Sequence, residues 1–297
     1  MGMTVEMLEG KGPHFPNPLR YPGSSEFKEL MGKPVDVKKE LGYVYDAITL
    51  TRTKLQGKVP LIGFVGSPWT LMCYMIEGGG SKIYHFVKGW IYKWPEESKK
   101  LLQKMAEICV DFLVEQVTAG AQVFPLHPQL STHTIADTMA DMLPWFVRRE
   151  GKAIQLIQVF DSCAGELSPH DFNLFSLPYL QHISKKLRER LQDNIVPMIV
   201  FAKGAWYALD ALCQSGYDVV GLDWTHDPAE AVRTANGRVT LQGNMDPNVL
   251  YGGKDAITDN VERMLGGFKG ARGRYIINLG HGEFFCTVER GWVGEWV

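Results

Sequence analysis

At 297 residues, with 45% apolar and 22% charged residues, the chain has the length and composition of a globular protein with one large α/β core. Its 31 basic and 33 acidic residues leave a net charge of −2, which gives no electrostatic case for nucleic acid or an anionic membrane surface. No run of ~18 apolar residues exists, so no transmembrane helix is expected, and MGMTVEMLEGKG has neither the order of a secretory signal nor, with Glu6 in place of Ser or Thr, a myristoylation pattern.

In chain order, the first strand is expected at Leu61–Val65 (LIGFV). A helix follows over Pro95–Thr118: it opens on Pro then Glu-Glu, carries the stripe Leu101, Met105, Ile108 and Phe112, and closes at Gly120. The stretch 123–155 then breaks the pattern. It holds Pro125, Pro128 and Pro144, has no continuous periodicity, and offers at most a short helix over Thr134–Phe146. Strands resume at Leu156–Phe160, Met198–Phe201, Asp218–Leu222, Arg238–Leu241 and Tyr275–Leu279. Helices are expected between them at Ile183–Gln192, Trp206–Gln214, Pro228–Thr234 and Asp255–Leu265. The strands are short and apolar almost throughout, as strands buried on both faces are, which points to a parallel sheet covered by helices. Repeating βα units fit either a (β/α)8 barrel or an open doubly wound sheet. Six strands are too few for the barrel unless some are missing.

General catalytic motifs are absent: no GxSxG elbow, HExxH or P-loop occurs, and Gly78–Gly80 has no GxGxxG frame. Cys73, Cys109, Cys163, Cys213 and Cys286 contain no CxxC pair and read as free thiols, with no metal set. Polar residues gather at strand C-termini instead, where barrel enzymes place their chemistry. These are Asp161, Ser162 and Cys163; Lys203; Asp223 and Trp224; Gln242, Asn244 and Asp246; and Asn278 and His281. His281 lies between two glycines that permit close approach of a ligand. Tyr74 carries a phenol that suits either a core position or a ligand carboxylate.

The blocks GKGPHFPNPLR (10–20), ELGYVYDAITLTR (40–52), PLIGFVGSPWTLMCYMIEGGG (60–80), VFDSCAGELSP (159–169), LPYL (177–180), VPMIVFAKG (196–204), GYDVVGLDWT (216–225), VTLQGNMDP (239–247) and RYIINLGHG (274–282) follow one another in the order of the uroporphyrinogen decarboxylase family, which the chain resembles. The resemblance implies a cofactor-free (β/α)8 TIM barrel, homodimeric and cytoplasmic. Its substrate is a tetrapyrrole, uroporphyrinogen, from which four acetate carboxyl groups are removed to give coproporphyrinogen in haem biosynthesis. By motif, Tyr74 and His281 resemble residues beside substrate carboxylates, Ser162 a hydrogen-bonding serine, and Phe64 and Gly66 part of the cleft lining. No proton donor is assignable, and no metal is implied.

Three departures from the family pattern shape the expectations. The chain starts after the family's MRQAGRYLPE and FSDI blocks, so the arginines that pair with carboxylates and the aspartate that receives pyrrole N–H groups are not in it. Charge-assisted contacts of that kind are worth roughly 1.5–3 kcal/mol each. The 33 residues of 123–155 stand where the family runs almost directly into the next strand, and 283–297 (EFFCTVERGWVGEWV) resembles nothing in the family. The domain expectation is therefore one incomplete barrel over 1–297, lacking its first strands, interrupted at 123–155 and ending in an atypical tail. Such a barrel exposes sheet edges and is expected to be poorly soluble or unstable. A catalytically impaired splice variant or gene-model fragment is the alternative reading. A cobalamin-linked methyltransferase of the same superfamily, in which His and Cys bind zinc, is a more distant one, since His281 and Cys286 stand in an unfamiliar HGEFFC context.

Overall fold

The computed structural model describes residues 2–8, 12–119 and 156–282. Gly120, the segment 123–155 with its expected helix at Thr134–Phe146, and the tail 283–297 with Cys286 lie outside the described residues. An antiparallel pair, β1 (Glu6–Leu8) and β2 (Gly12–His14), leads into helices α1 (Ser25–Gly32), α2 (Val37–Glu40) and α3 (Gly42–Leu55). The βα succession follows: β3 (Ile62–Gly66), α4 (Pro68–Glu77), α5 (His85–Lys93), α6 (Pro95–Thr118), β4 (Leu156–Asp161), α7 (Pro169–Phe175), α8 (Leu177–Leu191), β5 (Met198–Ala202), α9 (Leu209–Leu212), β6 (Val219–Gly221), α10 (Pro228–Ala235), β7 (Thr240–Met245), α11 (Gly253–Phe268) and β8 (Tyr275–Leu279).

Strands β3 to β8 form one sheet, parallel at every pairing, in which spatial order equals chain order. A doubly wound sheet reverses its strand order at a switch point, whereas a (β/α)8 barrel does not. The observed order therefore decides for the barrel over the open alternative. Among the described residues, β3 and β8 each have a neighbour on one side only. The sheet is six consecutive staves of a barrel, as expected from the six apolar runs.

Local chemistry explains the elements around the site. Helix α4 starts sharply after β3 because the Ser67 hydroxyl accepts from the Thr70 N–H and Pro68 fills the first helical position. It stops at Gly78, whose φ of +88° suits glycine and whose N–H donates to the Tyr74 carbonyl. Leu101, Met105, Cys109 and Leu113 of α6 are fully buried against the sheet, and Ile108 is buried beside them, while Phe112 only borders the core. The stretch Trp206–Gln214, expected as one helix, is instead a 3-10 turn (Trp206–Ala208) followed by the single turn of α9. Alanine stands at both N-caps and supplies no side-chain acceptor, so nothing holds a longer helix open at its start.

The edge at β3 is partly covered. The buried Gln116 of α6 accepts from the Phe64 N–H at 3.1 Å and donates to the Phe64 carbonyl at 3.0 Å. Both main-chain groups of that edge residue are thereby satisfied.

Candidate active site

The inner face of the sheet forms a concavity of about 540 Å³ at the C-terminal ends of the strands. Residues of β4 alternate in direction, so Gln158 and Phe160 on the strand and Ser162 just beyond it share the inner face. Phe201 comes from β5, Gly221 and Leu222 from β6, Gln242 from β7, and Asn278 through Gly282 from β8 and its exit.

A file of aromatic rings crosses this face. Phe64 meets Phe160 edge-on with centroids 6.0 Å apart, and Phe160 meets Phe201 edge-on at 6.1 Å. Phe201 then reaches the His281 imidazole at 6.2 Å, and His281 stands edge-on to Trp224 at 6.3 Å. Perpendicular packing is the favoured arrangement of such rings and keeps the floor apolar. The Lys203 ammonium sits 5.7 Å over the Trp224 ring at this end of the file. Gly280 lets the β8 exit approach so closely, since a Cβ there would lie 2.6 Å from the Trp224 nitrogen.

The polar residues at the strand ends divide into two groups. Asp161 and Asp223 are scaffolding. Asp161 is fully buried and accepts from the hydroxyls of Ser67 (2.8 Å), Thr70 (2.8 Å) and Ser176 (2.5 Å), which ties β4 to α4 and to the start of α8. Burial raises its pKa, and those three hydroxyls act against the rise. Asp223 is also buried and accepts from the Gly204 N–H (2.5 Å), the Thr225 N–H (2.8 Å) and the Thr225 hydroxyl (2.5 Å). Burial alone would raise its pKa, but these bonds and the nearby His226 ring hold it well below the usual carboxylate range. Asn244 braces the same corner, its amide donating to the carbonyls of Asp223 and His226 at 2.9 Å each. Asp246 accepts from the Asn248 N–H at 2.9 Å and starts the following turn.

The second group faces the concavity: Ser162, Gln158, Gln242, Asn278 and His281. The Gln242 side-chain oxygen is buried and has no hydrogen-bond partner, so it is a polar atom left over by the fold. Among the described residues lining the concavity, none is Lys, Arg, Asp or Glu.

Of the five residues singled out in the sequence, Ser162 and His281 meet in the concavity although they come from strands four positions apart in the sheet. Phe64 joins them through the aromatic file but lies on the β3 edge with 61% of its surface exposed. Gly66 ends β3 opposite Phe160, where an added Cβ would meet the Leu71 side chain at 3.2 Å. Tyr74 is half-buried on α4 near the Cys73 and Cys163 thiols, is not among the lining residues, and burial raises the pKa of its phenol. Gln158, Phe160 and Phe201 were not singled out; their alternation with Ser162 along β4, and with their neighbours on β5, is the signal that finds them.

The comparisons with known proteins agree with this geometry. The family model described as Uroporphyrinogen decarboxylase (URO-D) matches residues 1–127 and 127–288. A uroporphyrinogen decarboxylase of Schizosaccharomyces pombe is 49% identical over 286 residues, covering 95% of this chain and 70% of the relative. Those of Danio rerio and Homo sapiens are 47% and 44% identical, each covering 96% of this chain and 68% of the relative. A solved methyltransferase from Methanosarcina mazei superposes with a TM-score of 0.61 over 94% of this chain and 70% of its own, at 17% identity, a likeness of fold alone. With matches of that extent on a sheet whose strand order is a barrel's, the chain belongs to the uroporphyrinogen decarboxylase family.

Proposed function

We propose that the chain is a carboxy-lyase that converts uroporphyrinogen to coproporphyrinogen on the inner face of the six strands. The observation that carries this reading is the apolar floor Phe64–Phe160–Phe201, with Ser162 and His281 set at its rim. A tetrapyrrole laid on those rings buries the faces of its pyrroles, while its carboxylates point outward to polar groups. The chemistry needs no cofactor. A proton adds to a pyrrole α-carbon and makes the ring cationic. The C–C bond to an acetate carboxyl then breaks, its electrons flow into the ring and CO2 leaves. The exocyclic carbon takes a proton to become a methyl group, and the α-carbon gives up the proton it received. The protein's share is orientation and charge placement. Ser162 donates a hydrogen bond to a substrate carboxylate, and His281 offers an N–H to another. Tyr74 serves a carboxylate only if the substrate reaches past Ser162 towards α4.

The catalytically impaired reading has an observation of its own: the described lining contains no cation, and this substrate carries eight carboxylates. Incubating the chain with uroporphyrinogen under reducing conditions, beside a version extended with the family's arginine and aspartate blocks, separates the two. Coproporphyrinogen from both supports an active chain, coproporphyrinogen from the extended version alone supports the impaired one, and none from either overturns the site.

We further propose a cytoplasmic homodimer, for which light scattering at twice the chain mass is the test. We also read 1–297 as one partial barrel in which 123–155 and 283–297 are additions. Codons for both segments in the main mature transcript would contradict that.

A further inference from the structure

The β4 exit carries a second chemistry that decarboxylation does not use. Cys163 follows Ser162, and its main chain is gripped by α4: the Trp69 indole donates to the Cys163 carbonyl at 3.0 Å, and the Thr70 hydroxyl accepts from the Cys163 N–H at 3.2 Å. Trp69 and Thr70 stand four and three residues before Cys73, so the helix face that holds Cys163 also presents Cys73 to it. The two thiols act on each other electrostatically, and the Tyr84 hydroxyl lies 3.5 Å from the Cys163 sulfur. The pair is asymmetric. Burial pushes the Cys73 thiol well up, whereas the neighbouring Cys73 and Tyr84 side chains bring Cys163 below the usual thiol range against the effect of its own burial. Exposures of 1% for Cys73 and 4% for Cys163 shut out a bulky oxidant and favour a small one.

We propose that Cys73 and Cys163 form a redox pair that a small hydroperoxide closes into a disulfide and a reducing thiol reopens. The Cys163 thiolate attacks a peroxide oxygen; the O–O bond breaks, an S–O bond forms, and water or an alcohol leaves with a proton. Cys163 is then a sulfenic acid, oxidised by two electrons. The Cys73 sulfur displaces the hydroxyl from it, forming the S–S bond, and its proton departs with that hydroxyl as water. The clamp from Trp69 and Thr70 holds the β4 exit against the helix that carries Cys73. The pair is independent of which substrate the concavity takes.

The test uses the full chain, treated with hydrogen peroxide at neutral pH, quenched by alkylation under denaturing conditions and mapped by mass spectrometry without reduction. A parallel sample is oxidised in urea. The expected result is loss of two alkylatable thiols in the native sample, a dominant linked peptide carrying residues 73 and 163, and recovery of both thiols with dithiothreitol. Cys109 and Cys213, both buried and free, remain alkylatable. Cys73→Ser is expected to leave a dimedone-trapped sulfenic acid at Cys163, and Cys163→Ser to leave Cys73 unoxidised. A native sample with the same spread of linkages as the urea sample overturns the proposal. So does full alkylation of both cysteines after a peroxide dose that consumes added free glutathione.

Discussion

Val200 in the middle of β5 and Ile277 in the middle of β8 are both β-branched residues on parallel strands, and their surroundings are opposite. Val200 is fully buried between two neighbouring strands and the helix layer, while Ile277 has 59% of its surface exposed on a strand paired on one side. The β3 edge falls between these cases, since the Gln116 side chain takes both main-chain groups of Phe64. The inner floor follows the same gradient, from Phe201, packed and buried, to Phe64, largely exposed. What the difference teaches is that the centre of the sheet is packed on both faces, while its margins are exposed among the described residues. The proposed catalytic face therefore has a packed middle, at Phe201, and lies between margins exposed among the described residues, at Phe64 and Ile277.

The sharpest way to break this contrast is at the buried hub behind Ser162. Asp161→Ala leaves the hydroxyls of Ser67, Thr70 and Ser176 without their common acceptor, and we expect a loss of about 4 kcal/mol, read as a lower urea midpoint. Asp223→Asn removes the charge that four groups at the β6 exit converge on, at a cost of about 2–3 kcal/mol near neutral pH. Its pH dependence has a definite sign. The folded-state pKa lies below that of the unfolded chain, so its stabilisation is present above the ordinary carboxylate pKa of about 3.9 and is lost as pH falls below it. The stability gap between the native chain and Asp223→Asn should narrow as urea titrations move from pH 6 to pH 3.

Next in size is the direct comparison of centre and margin. Val200→Ala should cost about 2–3 kcal/mol, because it opens a cavity in packed surroundings. Ile277→Ala should cost about 0.5 kcal/mol or less, since little packing is lost there; equal costs would remove the contrast. Smallest of all in stability, Ile277→Lys should leave the urea midpoint within about 0.5 kcal/mol of the native value while raising the soluble fraction, because a charge on an open edge discourages strand pairing between copies.

The sequence reveals the strands well, because they are short runs apolar almost throughout: those at 156–160, 198–201 and 275–279 lie within observed strands. It reveals less where an element is short or lacks capping chemistry. The three-residue strands β1 and β2 carry no periodicity, and Trp206–Gln214 breaks into two turns for want of a capping side chain. In the site, Ser162, Gln242, Asn278 and His281 are legible as polar residues at strand ends, but Gln158, Phe160 and Phe201 are not. Whether a strand-end aspartate is scaffold or lining depends on which donors surround it, and Asp161 draws its donors from Ser67 and Thr70 at the start of α4, 94 and 91 residues before it, and from Ser176, 15 residues after it. Cys73 and Cys163 read separately as inert thiols; only the packing of α4 on the β4 exit pairs them.

The most direct measurement is the rate of coproporphyrinogen formation by the chain extended with the family's arginine and aspartate blocks, compared with its Ser162→Ala and His281→Ala variants. If the inner face is the catalytic site, each variant loses roughly 10- to 100-fold in kcat/KM, the value of one or two hydrogen bonds to a charged group, with the urea midpoint unchanged. Full activity in both variants would place the chemistry elsewhere and contradict the account.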